Sequence, residues 1–93
     1  MEEKYFEKQI GWYRMTSKHL SAGSIFIQAG QTLDCFWYVA EGTLQAEYSG
    51  GFVTLEKGDI LGLCDFNRDT HSLTYRATSE CSVVPYGSPA VLI

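Results

Sequence analysis

Leu44-Gln45-Ala46-Glu47-Tyr48-Ser49-Gly50-Gly51-Phe52-Val53-Thr54-Leu55 reads as strand, turn and strand. Leu44, Ala46 and Tyr48 alternate with Gln45 and Glu47. A period of two puts the apolar set on one face of an extended chain and the polar set on the other. The Gly50-Gly51 pair then predicts a tight two-residue hairpin, because such turns demand positive φ that side chains resist.

The same pattern continues outward in both directions. Upstream, Cys35 to Ala40 (CFWYVA) is a dense apolar run ended by Glu41-Gly42, the composition of a central strand buried on both faces. Ile25-Phe26-Ile27 lies between Ser21-Ala22-Gly23 and Ala29-Gly30-Gln31, and residues 13–20 predict a first strand. Downstream, Lys57-Gly58-Asp59 turns the chain into Ile60-Leu61-Gly62. Residues 64–70 are irregular and charged, and 73–78 and 81–86 predict the last two strands. Short strands with glycine punctuation, and no long amphipathic helix between them, predict a mainly β domain: a roll, jelly-roll or sandwich without βαβ units. Tyr5, Phe6, Ile10 and Tyr13 give residues 1–12 a rough apolar face, so a short N-terminal helix or arm is expected before a roll over 13–86.

The chain has 93 residues, 45% of them apolar, enough for one domain over residues 1–93 with one core and one modest pocket. Its net charge is −4, and its seven lysines and arginines are scattered. That excludes a basic nucleic-acid or anionic-membrane surface. No apolar stretch at the N-terminus reads as a signal or span, so a cytoplasmic location is expected. Cys35, Cys64 and Cys81 are odd in number and form no CxxC pair, which predicts free, buried thiols in a reducing compartment. The apolar ending Pro89-Ala90-Val91-Leu92-Ile93 suggests that further protein follows.

Catalytic motifs are missing. A metal-dependent barrel enzyme of the cupin kind needs several converging histidines, and here His19 and His71 stand far apart with no HxH pair. No GxSxG elbow, P-loop or GxGxxG occurs. Cys64, beside Asp65, has no cationic neighbour in sequence to activate it, so a plain core cysteine is expected. The chain is therefore expected to be no enzyme, with no cofactor and no metal.

Five segments in order resemble the cyclic-nucleotide-binding domain, the sensor β-roll of catabolite activator proteins, kinase regulatory subunits and gated channels. They are Ala22-Gly23-Ser24-Ile25-Phe26, Ala29-Gly30-Gln31, Phe36 to Leu44, Lys57-Gly58-Asp59-Ile60-Leu61-Gly62, and Arg76-Ala77-Thr78-Ser79-Glu80-Cys81-Ser82-Val83, and the stretch Leu61 to Leu73 falls at the family's cassette. The resemblance implies a phosphate-binding cassette. In it a Gly-Glu pair opens a short helix and an Arg-Ala or Arg-Ser pair follows, the helix N-terminus and the arginine holding the cyclic phosphate and the glutamate the ribose.

Here the cassette departs from that pattern. Gly62 matches the glycine, but Leu63 stands at the glutamate and His71-Ser72 at the arginine pair. The stretch through Cys64 and Arg68 to Leu73 is short, so the small helix is expected to be reduced. A hydrogen bond to a charged group is worth about 1.5–3 kcal/mol, so losing two such contacts costs on the order of a thousandfold in affinity. The resemblance thus implies a non-catalytic regulatory or sensor domain, similar to those of transcription regulators, that does not bind cyclic AMP in the usual way. The alternatives are a receptor for another small anion or nucleotide through Arg68, His71, Ser72 and the Gly62–Cys64 backbone, and, remotely, a small metal-dependent cupin enzyme. In the family a long helix and a helix-turn-helix follow the roll. Neither lies in these residues, so no nucleic-acid binding by this chain alone is expected, while a homodimer is an assembly the resemblance allows.

Overall fold

The computed structural model describes residues 16–87. The expected N-terminal helix or arm over 1–12 lies outside them, as does the start of the first predicted strand. Eight strands follow in order: β1 (Lys18–Leu20), β2 (Ile25–Ile27), β3 (Phe36–Glu41), β4 (Leu44–Tyr48), β5 (Gly51–Leu55), β6 (Ile60–Leu61), β7 (Thr74–Ala77) and β8 (Cys81–Gly87). A 3₁₀ turn, Leu63–Asp65, comes after β6.

The strands form two four-stranded sheets, ordered β1-β8-β3-β6 and β2-β7-β4-β5, with every pairing antiparallel. β1 pairs with β8, β2 with β7, β3 with β6 and β4 with β5, so the chain is one long hairpin rolled up on itself. Its tip is the β4–β5 turn. Tyr48 pairs with Gly51, so the two turn residues are Ser49 and Gly50. Neither has positive φ; the freedom expected of the glycine pair is used by Gly51 alone, at φ 154° on the first residue of the returning strand.

The alternation along β4 matches the expectation for Leu44 and Ala46, which are buried, and for Gln45 and Glu47, which are half-buried, but Tyr48, expected on the inward face, is exposed at the hairpin tip. Leu44 and Ala46 meet Trp37, Val39, Leu61, Cys81 and Val83 from the other sheet, with Ile27, Tyr75 and Ala77 completing the core. Phe26 and Trp37 join the two sheets edge to face, ring centroids 5.1 Å apart. Each large side chain so buried contributes about 1.5–3 kcal/mol. Glu47 accepts from Arg76 Nε at 2.8 Å, tying β4 to β7. Cys35 and Cys81 are buried, as expected of all three thiols, but Cys64 is exposed, because it belongs to the 3₁₀ turn rather than to a strand.

Gly42 turns the corner from β3 to β4 against the turn that precedes β8. Its φ is 83°, and a methyl group there would stand 2.7 Å from the Cys81 Cα and nearer still to the Glu80 carbonyl oxygen. Backbone cannot yield as a flexible side chain can. Gly42→Ala is therefore expected to lower the urea-unfolding free energy by roughly 2–4 kcal/mol, the sum of a positive-φ penalty and an overpacked contact. Gly23→Ala, at a similar φ of 91° but with open space around the added methyl, is expected to cost only the first part, about 1 kcal/mol.

Candidate ligand-binding cassette

β6 ends at Leu61, fully buried, and delivers the chain to Gly62. Gly62 adopts φ 94°, and a methyl group there would stand 3.0 Å from His71 Cε1, 3.1 Å from Leu33 Cδ1 and 3.2 Å from Phe36 Cδ1. Both the left-handed backbone and the crowding require glycine. Its N–H donates to the buried Tyr75 hydroxyl at 3.0 Å. Burial pushes that phenol well above its ordinary range, so it stays protonated.

The expected short helix is reduced to three residues. The Asp65 N–H donates to the Gly62 carbonyl at 3.0 Å and the Phe66 N–H to Leu63 at 3.2 Å. Leu63 and Phe66 remain half exposed, at 46% and 50%. The loop beyond returns along residues 30–33. Leu33 N–H donates to Asp69, His71 N–H to Gln31, and Gly30 N–H to His71, all between 2.8 and 2.9 Å. This lacing fixes the His71 backbone and sends its ring inward.

His71 stands where the resemblance puts an arginine, and its residue is 4% exposed. Its ring packs edge-on to Tyr75 at 5.9 Å. Its Nδ1 has no hydrogen-bond partner among the described residues. Burial lowers its pKa, against the pull of the Asp65 and Asp34 carboxylates, so the imidazole is neutral at physiological pH. A guanidinium there would present a fixed positive charge; this ring presents none.

Asp65 is a cassette residue that the sequence pattern does not single out. It is 1% exposed. Its Oδ2 accepts from the Ser72 N–H at 2.8 Å and the Ser72 hydroxyl at 3.0 Å, and the Cys64 thiol lies at 3.7 Å. Arg68 Nε stands 3.6 Å from Oδ1. Burial alone would raise the carboxyl pKa, but the Ser72 donors, Cys64 and Arg68 outweigh it and hold it below the usual carboxylate range. The one available signal is a lone acid inside the apolar run Ile60 to Phe66, since a buried carboxylate needs partners. Arg68, 66% exposed, is a rim residue at long range from its one anionic partner. Ser72 is exposed and Leu73 packs against the core. Desolvation and the neighbouring Asp65 carboxylate raise the Cys64 thiol pKa, which favours the protonated thiol at neutral pH. Among the described residues no cluster of three or more His, Cys, Asp or Glu is placed to hold a metal ion, and no helix is long and apolar enough to cross a membrane.

The site is thus a glycine-opened helical turn and a short loop set between β6 and β7 of an antiparallel β-roll. The sequence profile of the cyclic nucleotide-binding domain matches residues 17–90, and the chain belongs to that family. A comparison with curated proteins finds no match. Among solved structures, PKAR CBD2 bound to Sp-2Cl-cAMPS is similar at TM-score 0.71 and 22% identity, over 98% of this chain and 72% of that one. The regulatory subunit of a cAMP-independent protein kinase A from Trypanosoma brucei is similar at TM-score 0.71 and 15% identity, over 81% of this chain and 28% of that one. The cGMP-bound EAL enzyme Bd1971 is similar at TM-score 0.68 and 18% identity, over 82% of this chain. This chain spans only 22% of that enzyme's length. At such identities the likeness is one of fold.

The buried imidazole makes stability depend on pH. The unfolded His71 titrates near 6.5 and the folded one below that. Well above pH 6.5 both states are neutral there and His71 contributes no slope. As pH falls below 6.5 the unfolded chain takes up the proton first, and stability is lost until the folded pKa is passed. The melting temperature is expected to fall between pH 6.5 and 5 in the wild type and to stay nearly flat there in His71→Gln. The depressed carboxylates Asp65, Glu47 and Glu80 act only at lower pH. Equal slopes in both proteins would contradict this account.

Proposed function

We propose that the chain is a non-catalytic regulatory module of the cyclic-nucleotide-binding family whose cassette does not clamp a cyclic phosphate by the family's charged pair. The observation that carries this reading is the neutral, interior His71 at the arginine position. Leu63, an exposed apolar side chain, stands where a carboxylate would hold a ribose hydroxyl. The one strongly placed charge in the cassette is the anion Asp65, which repels a phosphate rather than attracting it.

The other ligand route, an anion held by Arg68, His71 and Ser72, is less well supported. The three point to different surroundings: Arg68 to solvent, His71 to the core and Ser72 to Asp65. A regulatory role without a cyclic AMP response has a parallel in the Trypanosoma brucei regulatory subunit of a cAMP-independent kinase, which shares the fold. A soluble cytoplasmic setting, with output supplied by a partner or by further protein, fits this reading.

Isothermal titration of the wild-type chain with cyclic AMP and cyclic GMP tests it. Dissociation constants on the order of a millimolar or weaker are expected, about a thousandfold above micromolar binding. A micromolar constant for either nucleotide would overturn the reading.

A further inference from the structure

The Ser72 N–H and hydroxyl converge on one point in the cassette. Two donors on one residue, backbone and side chain, form a small cradle for an oxyanion. That point is filled by Asp65 Oδ2, at 2.8 and 3.0 Å. Three further observations show a filled site rather than an incidental surface bond. The carboxylate is nearly inaccessible to solvent while Ser72 is exposed. The bond spans seven residues, closing the loop 66–71 that bends back along residues 30–33. Arg68, the nearest cation among the described residues, faces the same carboxylate from the solvent side.

We infer that Ser72 forms an oxyanion site occupied from within by the carboxylate of Asp65, so that the cassette is held in a self-liganded state. The inference rests on the proposed function and goes further. It assigns a reason for weak binding beyond missing contacts: the donors that remain are engaged by the chain's own anion. An external ligand must displace a tethered group, present at an effective concentration far above any free anion. Removing the side chain vacates the cradle, with Ser72 as its donor and Arg68 beside it, for a tetrahedral oxyanion of the phosphate class.

The test uses Asp65→Ala and inorganic phosphate, read by thermal melting and by the Ser72 amide resonance. Wild type in the same phosphate series, at ionic strength matched with chloride, measures the general stabilisation that phosphate gives any protein. The expected result is a melting temperature in Asp65→Ala that rises roughly 5–10 °C more than in wild type when phosphate reaches ten times its dissociation constant. The Ser72 amide should shift in the variant only, and Asp65→Ala with Ser72→Ala should lose the effect. If Asp65→Ala does not fold without phosphate, refolding on phosphate addition, read by circular dichroism and absent with chloride, supports the site equally. Asp65→Ser, with a shorter polar side chain, provides a second vacated variant.

Both variants failing to respond to phosphate beyond wild type, or a response that survives removal of the Ser72 hydroxyl with no amide shift, would overturn the inference. The two proposals fail separately. Micromolar cyclic nucleotide binding by wild type defeats the function reading, whereas an unresponsive Asp65→Ala defeats self-occupancy while weak wild-type binding still stands.

Discussion

The cassette hangs on one contact, the hydrogen bond from the Gly62 N–H to the Tyr75 hydroxyl at 3.0 Å. Tyr75 belongs to the core and to β7, which pairs with both β2 and β4. Gly62 belongs to the exit of β6, in the other sheet. The bond therefore joins the two sheets at the site, and the left-handed backbone of Gly62 opens the 3₁₀ turn. A side chain at Gly62 would press on His71, Leu33 and Phe36 together. The residues beyond Gly62 inherit that geometry: Asp65 falls beneath the returning loop, and His71 falls against Gly62 and Tyr75.

Charge then decides what the cassette can hold. A cationic anion site needs its positive charge inside a low-dielectric surround, where the Coulomb attraction is strong. Among the described residues the side-chain cation nearest the cassette carboxylate, Arg68, is solvated and screened, and the interior position is taken by an uncharged ring. The buried charge is a carboxylate, stabilised by Ser72. The polarity of these side chains is thus the reverse of what an anion site needs.

Most of the fold is legible in the sequence because its determinants are local and periodic. The alternation in Leu44 to Tyr48, the apolar run before Glu41-Gly42 and the glycines at the corners each state a strand or a turn. The glycine pair marks the β4–β5 turn correctly but misstates its conformation, since only the second glycine uses an unusual φ. The departures at Leu63 and His71 are also readable, but not their environments. Whether a histidine faces solvent or core depends on the lacing of residues 69–71 to 30–33, a contact between segments nearly forty residues apart. Asp65 escapes sequence reasoning for the same kind of reason. Its partner, Ser72, is seven residues away across an irregular loop, where no period predicts a meeting.

The roll and the site draw on largely different residues. The core cluster, from Leu20 and Ile27 through Val39, Leu44 and Val83, is assembled from strand faces, and Leu61, Leu73 and Tyr75 connect it to the cassette. Stability comes mainly from burying those apolar surfaces, and the cassette adds the buried Asp65, which closes the loop onto Ser72, and the interior His71. A buried arginine is costly unless an anion accompanies it. On the proposed reading, a cassette that does not hold a phosphate is better served by a neutral ring than by a buried cation, and the Ser72 donors find their acceptor in Asp65. On that reading the neutral His71 and the internal carboxylate of Asp65 belong together: the interior position carries no cation, and the Ser72 donors are met by the chain's own anion.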